Sequence, residues 1–225
     1  MGLVRKVMLA AASAGAIDRW VRPALMRWGA TDAEVNDAFP GGDLVPGGTR
    51  SPTMAVTIEA PPHQVWPWLV QMGWDRGGWY SWDHLDNAGR PSATEVHPEW
   101  QDLAVGDQLR YWALGHVVDA YRVAVLDPPH FLCLYGCTDL RGRWLEPDDR
   151  RPEAYMEGTW GFRLDETPHG HTRLVISGHQ VFRPRWIERF LVPWLFVLLV
   201  WPMQARMTVI LKRTIESAGT SAPPP

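Results

Sequence analysis

Between Met54 and Phe182 the chain is written in short apolar–polar alternations, and one long helical pattern follows them. Met54–Glu59 sets Val56 and Ile58 on one face and predicts a first strand. Gln108–Trp112, Val117–Leu126, Phe131–Tyr135, Thr159–Leu164 and Thr172–Phe182 predict the others. Turn residues part them: Val105-Gly106-Asp107, a hairpin at Gly115, Asp127-Pro128-Pro129 and Pro168-His169-Gly170-His171. Ala60-Pro61-Pro62 ends the first strand and opens a helix over His63–Met72, with Pro62 in the first turn, where proline is accepted. Ser81–Asn87 predicts a second short helix capped by Ser81. The order is therefore strand, two helices, antiparallel meander and long helix, an α+β arrangement. Such a meander does not close on itself; it curls, and the last helix fills its concave face. The space left between them is a natural cavity.

The ends carry different signals. Residues 1–50 read as a helical extension and linker, with a capping box at Thr31-Asp32-Ala33-Glu34 and a Gly/Pro-rich close at Pro40–Gly48. Residues 51–218 form the main domain, and 219–225 read as a disordered tail. Arg5, Lys6 and the apolar Val7–Ala12 faintly resemble an export signal. The amphipathic Ile17–Pro23 favours instead a helix at the surface or at a membrane edge. Phe190–Met203 is the most apolar run, about 21 Å of helix against roughly 30 Å of bilayer hydrocarbon. Pro193 and Pro202 lie inside it. A core helix and a helix lying in a membrane interface both fit, the latter with Trp194 and Trp201 at the headgroups. The core reading gains from Gln204–Ser217, which sets Met207, Ile210, Leu211 and Ile215 on one stripe. Peripheral membrane contact through 1–22 and 190–203 is the alternative.

Composition narrows the partners. A net charge of −3 without a basic run excludes the clustered cations that nucleic acid requires. The chain holds 14 Trp against 5 Tyr and 6 Phe, an excess that suits cavity walls, interfaces or membrane edges as well as a ring-rich core. Cys133 and Cys137, four apart on one strand, would lie about 13 Å apart, too far for a disulfide unless Gly136 folds the chain back. A reduced cytoplasmic setting is expected, with the membrane surface as its variant. The oligomeric state is left open.

Met54-Ala-Val-Thr-Ile-Glu-Ala-Pro-Pro-His-Gln-Val-Trp-Pro-Trp-Leu-Val-Gln-Met-Gly73 resembles the opening strand-and-helix motif of the SRPBCC superfamily, the group of START domains, polyketide cyclase/dehydrases and the birch-pollen allergen. Val117–Leu134 with its Leu126-Asp-Pro-Pro129 turn, Trp160–Leu164 and Thr172–Ile176 match its later strands. The resemblance covers about Pro52 to Ala218. Gly77–Asn87 and Pro98–Asp107 look like an uncharacterised bacterial branch. The resemblance implies a helix-grip fold and a ligand cavity, but no single reaction.

On that fold, Trp79, Tyr80, Trp82, Trp100, Tyr111, Trp112, Tyr135, Trp160 and Phe162 are candidate ligand-binding residues. Asp83, His84, Tyr111 and His179 are candidate acid–base groups. Each has a plainer reading. Asp83, Asp86 and Asn87 share a helix face that solvent would satisfy, and strand residues face the interior only half the time. The histidines lack metal spacing, and no nucleophile motif, phosphate loop or dinucleotide fingerprint occurs, so neither metal nor cofactor is expected. The expected partner is an apolar small molecule such as a lipid, polyketide or isoprenoid, bound or carried. A cyclase or dehydrase working by acid–base chemistry is the alternative, and a membrane-attached structural protein is a third.

Overall fold

A computed structural model describes residues 17–113, 115–146 and 148–220, together with Gly2, Arg5 and Gly15. Apart from those three glycine and arginine positions, the signal-like stretch before Ile17 lies outside the described residues, as does the tail beyond Thr220. Two short helices come first, α1 (Arg22–Leu25) and α2 (Asp32–Asn36), then β1 (Thr49–Arg50), β2 (Met54–Ile58), α3 (Pro62–Val70) and α4 (Asp83–Asp86). The meander follows as β3 (Gln108–Ala113), β4 (His116–Asp127), β5 (Phe131–Asp139), β6 (Tyr155–Glu166), β7 (Thr172–Ser177) and β8 (His179–Arg183). A chain of helices ends the molecule: α5 (Arg185–Phe190), α6 (Val192–Leu195), a π-helical turn (Phe196–Val200) and α7 (Trp201–Thr220). This is the expected α+β helix-grip fold.

All strand pairs are antiparallel. β3 to β6 pair in chain order, and β6 then pairs β7 through Gly161–Glu166 and β8 through Tyr155–Gly158. β2 lies against β7, and β1 against β8. The expected single strand Thr172–Phe182 is thus two, broken at Gly178. A Cβ at Gly178 would stand 2.0 Å from the Thr159 carbonyl oxygen, so only glycine lets the chain change course so close to β6.

The concave face carries the main core. Val56 and Ile58 from β2, Leu132 and Leu134 from β5, Phe162 and Leu164 from β6 and Leu174 and Ile176 from β7 face α3 and α7. α7 answers with Met207, Leu211 and Ile215, a stripe at helical spacing as the sequence predicted. Each fully buried Leu or Ile contributes roughly 1.5–3 kcal/mol. The far end of α7 is also clamped to the sheet edge: Lys212 Nζ donates to the Thr57 carbonyl (2.7 Å), and Glu216 accepts from the Glu59 amide (2.8 Å).

The convex face is covered by the N-terminal arm. Phe39 packs on Phe131, Cys133 and Val175, while Val45 packs on Tyr135, Cys137, Leu145 and Val181. Both cysteines are buried and free. The capping box at Thr31 and Glu34 forms as expected. Glu34 also pairs with Arg173 (2.7 Å), whose Nη2 reaches the Gly29 carbonyl (2.6 Å). Gly29 adopts φ +72°, and a Cβ there would meet the Ala55 carbonyl oxygen at 2.2 Å.

Arg173 above all holds the Glu34 carboxyl at about 2, below its ordinary 4.5. A depressed value means that the pair's stabilisation is complete above pH 4.5 and is lost as pH falls toward 2. Glu34→Gln is expected to destabilise the fold by about 1–3 kcal/mol at pH 7. In thermal melts across pH, the gap to the wild type should narrow below pH 4.5.

Candidate functional site

Strand alternation decides which rings meet inside the grip. In the β5–β6 register Leu134 stands opposite Trp160 and Tyr135 opposite Thr159. Trp160 and Phe162 therefore point to the concave side, where Trp79, Tyr111 and Tyr121 join them. Trp79 is the hub. Its ring stacks on Trp160 (5.7 Å, 23°) and meets Tyr111 (5.5 Å) and Tyr121 (6.1 Å), and its Nε1 donates to the Arg110 carbonyl (3.2 Å). Tyr80 lies beneath, tilted on Trp68 (6.2 Å), with its hydroxyl held by Gln71 Nε2 (2.7 Å). Burial pushes the Tyr80 phenol up to about 12.

Trp79 is buried, but Tyr111, Tyr121 and Trp160 are only part-buried among their core neighbours. Burial still raises both the Tyr111 and the Tyr121 phenols.

Asp86 brings a buried carboxylate close to Tyr111. It sits on α4, beside β3, and is 0% exposed. Neither carboxylate oxygen has a hydrogen-bond partner. The Ser81 hydroxyl and the Trp82 and Asp86 amides lie near enough to favour the charged form, but the Ser81 proton goes to the Met203 carbonyl (3.1 Å) at the start of α7. Burial, with Asp83 nearby, lifts the Asp86 carboxyl from 3.8 to about 6, and its charge in turn helps raise Tyr111. The Trp160 and Trp201 Nε1 groups are also buried without partners. Buried polar groups are ordinarily paired, so within the ring cluster the Trp160 indole stands out as an unpaired donor.

The other sequence candidates are placed elsewhere. Trp112 follows Tyr111 on β3, points to the opposite side and stacks on Trp74 (6.1 Å, 16°). Tyr135 is on the convex face, bonded to Glu157. Trp82 is exposed under the Arg206 guanidinium (4.2 Å), and Trp100 packs on His97 (4.4 Å). Asp83 is spent on the Ser92 hydroxyl (2.8 Å) and amide (3.2 Å), and His84 is exposed. His179 is on the convex face; its ring lies where a Cβ at Gly42 would stand (3.0 Å to Nε2), and burial lowers its pKa. Ser81 caps no helix, since α4 begins two residues later and the Ser81 hydroxyl binds α7 instead. Asp86 is the residue the sequence reading passed over. Its shared face with Asp83 was visible, but α4 packs that face down onto β3, so Asp86 is buried rather than solvated.

Two surface clefts compete with the interior. The larger, about 630 Å³, lies on the convex face and contains Tyr135, Glu157, Arg151 and Arg122. Its arginines are already matched: Arg151 to Glu157 (3.0 Å) and Arg122 to Glu146 (2.8 and 3.0 Å). The smaller, about 280 Å³, is a polar dent containing Asp75, Glu99, Asp102 and Asp107. Among the described residues no three His, Cys, Asp or Glu side chains converge as metal ligands.

Asp86→Asn supplies a test of the unpaired charge. A folded-state value raised to about 6 means that the extra stability is present below pH 3.8 and is lost as pH rises through 6. The Asn variant is therefore expected to melt higher than the wild type at pH 8, by up to about 2 kcal/mol, and the curves should converge near pH 4.

No family model matches the chain, and no curated protein matches it. Solved structures similar to it include a Mesorhizobium loti protein at 20% identity, covering 73% of this chain and 97% of that one, with a TM-score of 0.41. A Mycobacterium smegmatis protein matches at 15% identity over 76% and 91%, with a TM-score of 0.43. A protein of unknown function from Staphylococcus aureus matches at 10% identity over 78% and 99%, with a TM-score of 0.46. These likenesses carry no information about the chemistry of the chain.

Proposed function

We propose that the protein binds an apolar, ring-bearing small molecule between its sheet and α7, and that it is a member of the SRPBCC superfamily. The motif at Met54–Gly73 and the element order support the membership. One observation carries the function: a part-buried ring cluster of Trp79, Tyr111, Tyr121 and Trp160, beside a buried carboxylate that no well-formed hydrogen bond reaches. Rings offer flat apolar contact, and a single unpaired acceptor selects a ligand bearing one hydroxyl or amine. A ligand with that group regains the hydrogen bonds that Asp86 lacks.

Asp86 also supports the second reading, an acid–base enzyme of cyclase or dehydrase type. A carboxyl near 6 is populated in both protonation states close to neutrality, which suits a group that takes and returns a proton. Tyr111 next to it would hold or orient the reacting oxygen. Binding alone needs no turnover, so the two readings part on whether the bound molecule changes.

Native mass spectrometry of protein purified from its source cells, followed by extraction, tests both. A stoichiometric apolar passenger is expected, and Asp86→Asn should retain it roughly 10–100-fold less well. A passenger whose mass changes on incubation with the wild type, but not with Asp86→Asn, establishes the enzyme. An empty wild-type protein that also takes up no apolar fluorescent probe overturns the proposal.

A further inference from the structure

The segment from Trp186 to Val200 presents to water a surface that water does not favour. Trp186 (56%), Phe190 (62%) and Leu198 (73%) are exposed, as are Leu191, Trp194, Leu195, Leu199 and Val200. Among the described side chains only Val192 and Phe196, one turn apart, are buried there. A helix on a water-facing surface keeps one apolar stripe inward and polar groups outward. Here the outward side is apolar as well, and the sequence holds no charged residue between Arg189 and Arg206. Scattered exposed apolar residues are ordinary, but a contiguous patch of this kind marks an interaction surface.

Neighbouring elements enlarge the patch. The Ser81–Met203 hydrogen bond draws α4 to the start of α7, where Trp82 and Leu85 are exposed. Trp28 meets Trp201 edge-on at 6.3 Å, which holds the start of the described chain near the same end; Trp20 and Val21 are exposed there. The charged rim is mostly basic. Arg19, Arg185, Arg189 and Arg206 are exposed, and Arg19, Arg189 and Arg206 lie over the rings of Trp20, Phe190 and Trp82. The nearby acid, Glu188, is occupied by Thr49 (3.1 Å) and Arg183 (4.0 Å).

We infer that this face docks on a lipid bilayer bearing anionic headgroups, with the Phe190–Val200 segment lying in the interface and the arginines at the phosphate level. Apolar side chains backed by Trp and fringed by cations are what an interfacial helix requires. Spanning is ruled out for the described helices, none of which is long and apolar enough to cross a membrane. A second copy of the chain would cover the apolar side chains equally well, but it would set the arginine rim of one copy against that of the other. Anionic lipid turns the same rim into an attraction.

The inference rests on the proposed ligand reading and extends it to the route of entry. The same short stretch that leaves the apolar segment, Trp201–Met203, touches the interior: Tyr111 Oη reaches Met203 Sδ at 3.9 Å, and Asp86 lies on the helix that Ser81 ties to Met203. The docked face therefore surrounds the end of the grip where the unpaired groups sit. An apolar ligand dissolved in the bilayer would pass between α4 and α7 without crossing water.

The test is flotation of the full chain with phosphatidylcholine vesicles, with and without about one-third phosphatidylglycerol. The wild type is expected to float with the anionic vesicles and to be released as salt rises from about 0.05 to about 0.5 M. Leu198→Asp/Leu199→Asp should lower partitioning on the order of 100-fold. Arg185→Glu/Arg189→Glu should lower it at least about tenfold on anionic vesicles and little on neutral ones. All four positions are exposed, and a thermal melt confirms folding. Passenger retention, measured in solution without vesicles, separates the two proposals. If the Asp variant keeps its passenger but loses the vesicles, docking is supported independently of the cavity. A wild type that binds neither vesicle overturns docking whatever its passenger does. So does a dimer that Leu198→Asp/Leu199→Asp splits while vesicle binding is unchanged.

Discussion

β6 is the strand on which the rest of the structure depends, because one twelve-residue segment must satisfy three neighbours. Along one edge it runs the length of β5; along the other it is shared between β7 and β8. The change of partner happens where Gly178 passes the Thr159 carbonyl, and it divides the convex side into the two small cores that the arm covers. On the concave side the same strand offers Trp160, Phe162 and Leu164 in succession, grading from the open end of the grip to its sealed end. Site and scaffold are thus consecutive positions on one strand.

Much of this was legible in residue order. Period-two runs between Gly and Pro breakers located the strands, and the Met207–Leu211–Ile215 stripe located the helix they wrap. Pro62 opened α3 as expected, and Thr31 and Glu34 formed their box. The less legible features depend on partners distant in sequence. β6 begins at Tyr155, four residues earlier than its pattern, because β8 supplies a mate for residues whose own alternation is weak. A local reading likewise made Ser81 a cap, whereas Met203, 122 residues away, supplies a better acceptor.

The site divided along the same line. Alternation guarantees that Tyr111 and Trp112 face opposite ways, but only the register with neighbouring strands says which faces inward. Of the candidate rings, Trp79, Tyr80, Tyr111, Trp160 and Phe162 met on the concave side, while Trp82, Trp100, Trp112 and Tyr135 found separate partners. Asp86 was hidden for a different reason. Short polar helices usually lie on the surface, and nothing in Asp83-His-Leu-Asp86 announces that the second carboxylate goes under. Its burial costs stability that a fold without a use for the charge would recover with an amide.

The clamp at the far end of α7 has a mechanical consequence. Lys212 and Glu216 fix the helix to the edge of β2, and roughly 17–23 Å of stiff rod extends from there to Trp201. A rod held at one end bends like a cantilever, with displacement growing toward the free tip. The tip here is held by side-chain contacts, Ser81 with Met203 and Arg206, Trp28 with Trp201 and Tyr111 with Met203. Small forces on the outer apolar segment are thereby geared into movement of that tip, next to Tyr111.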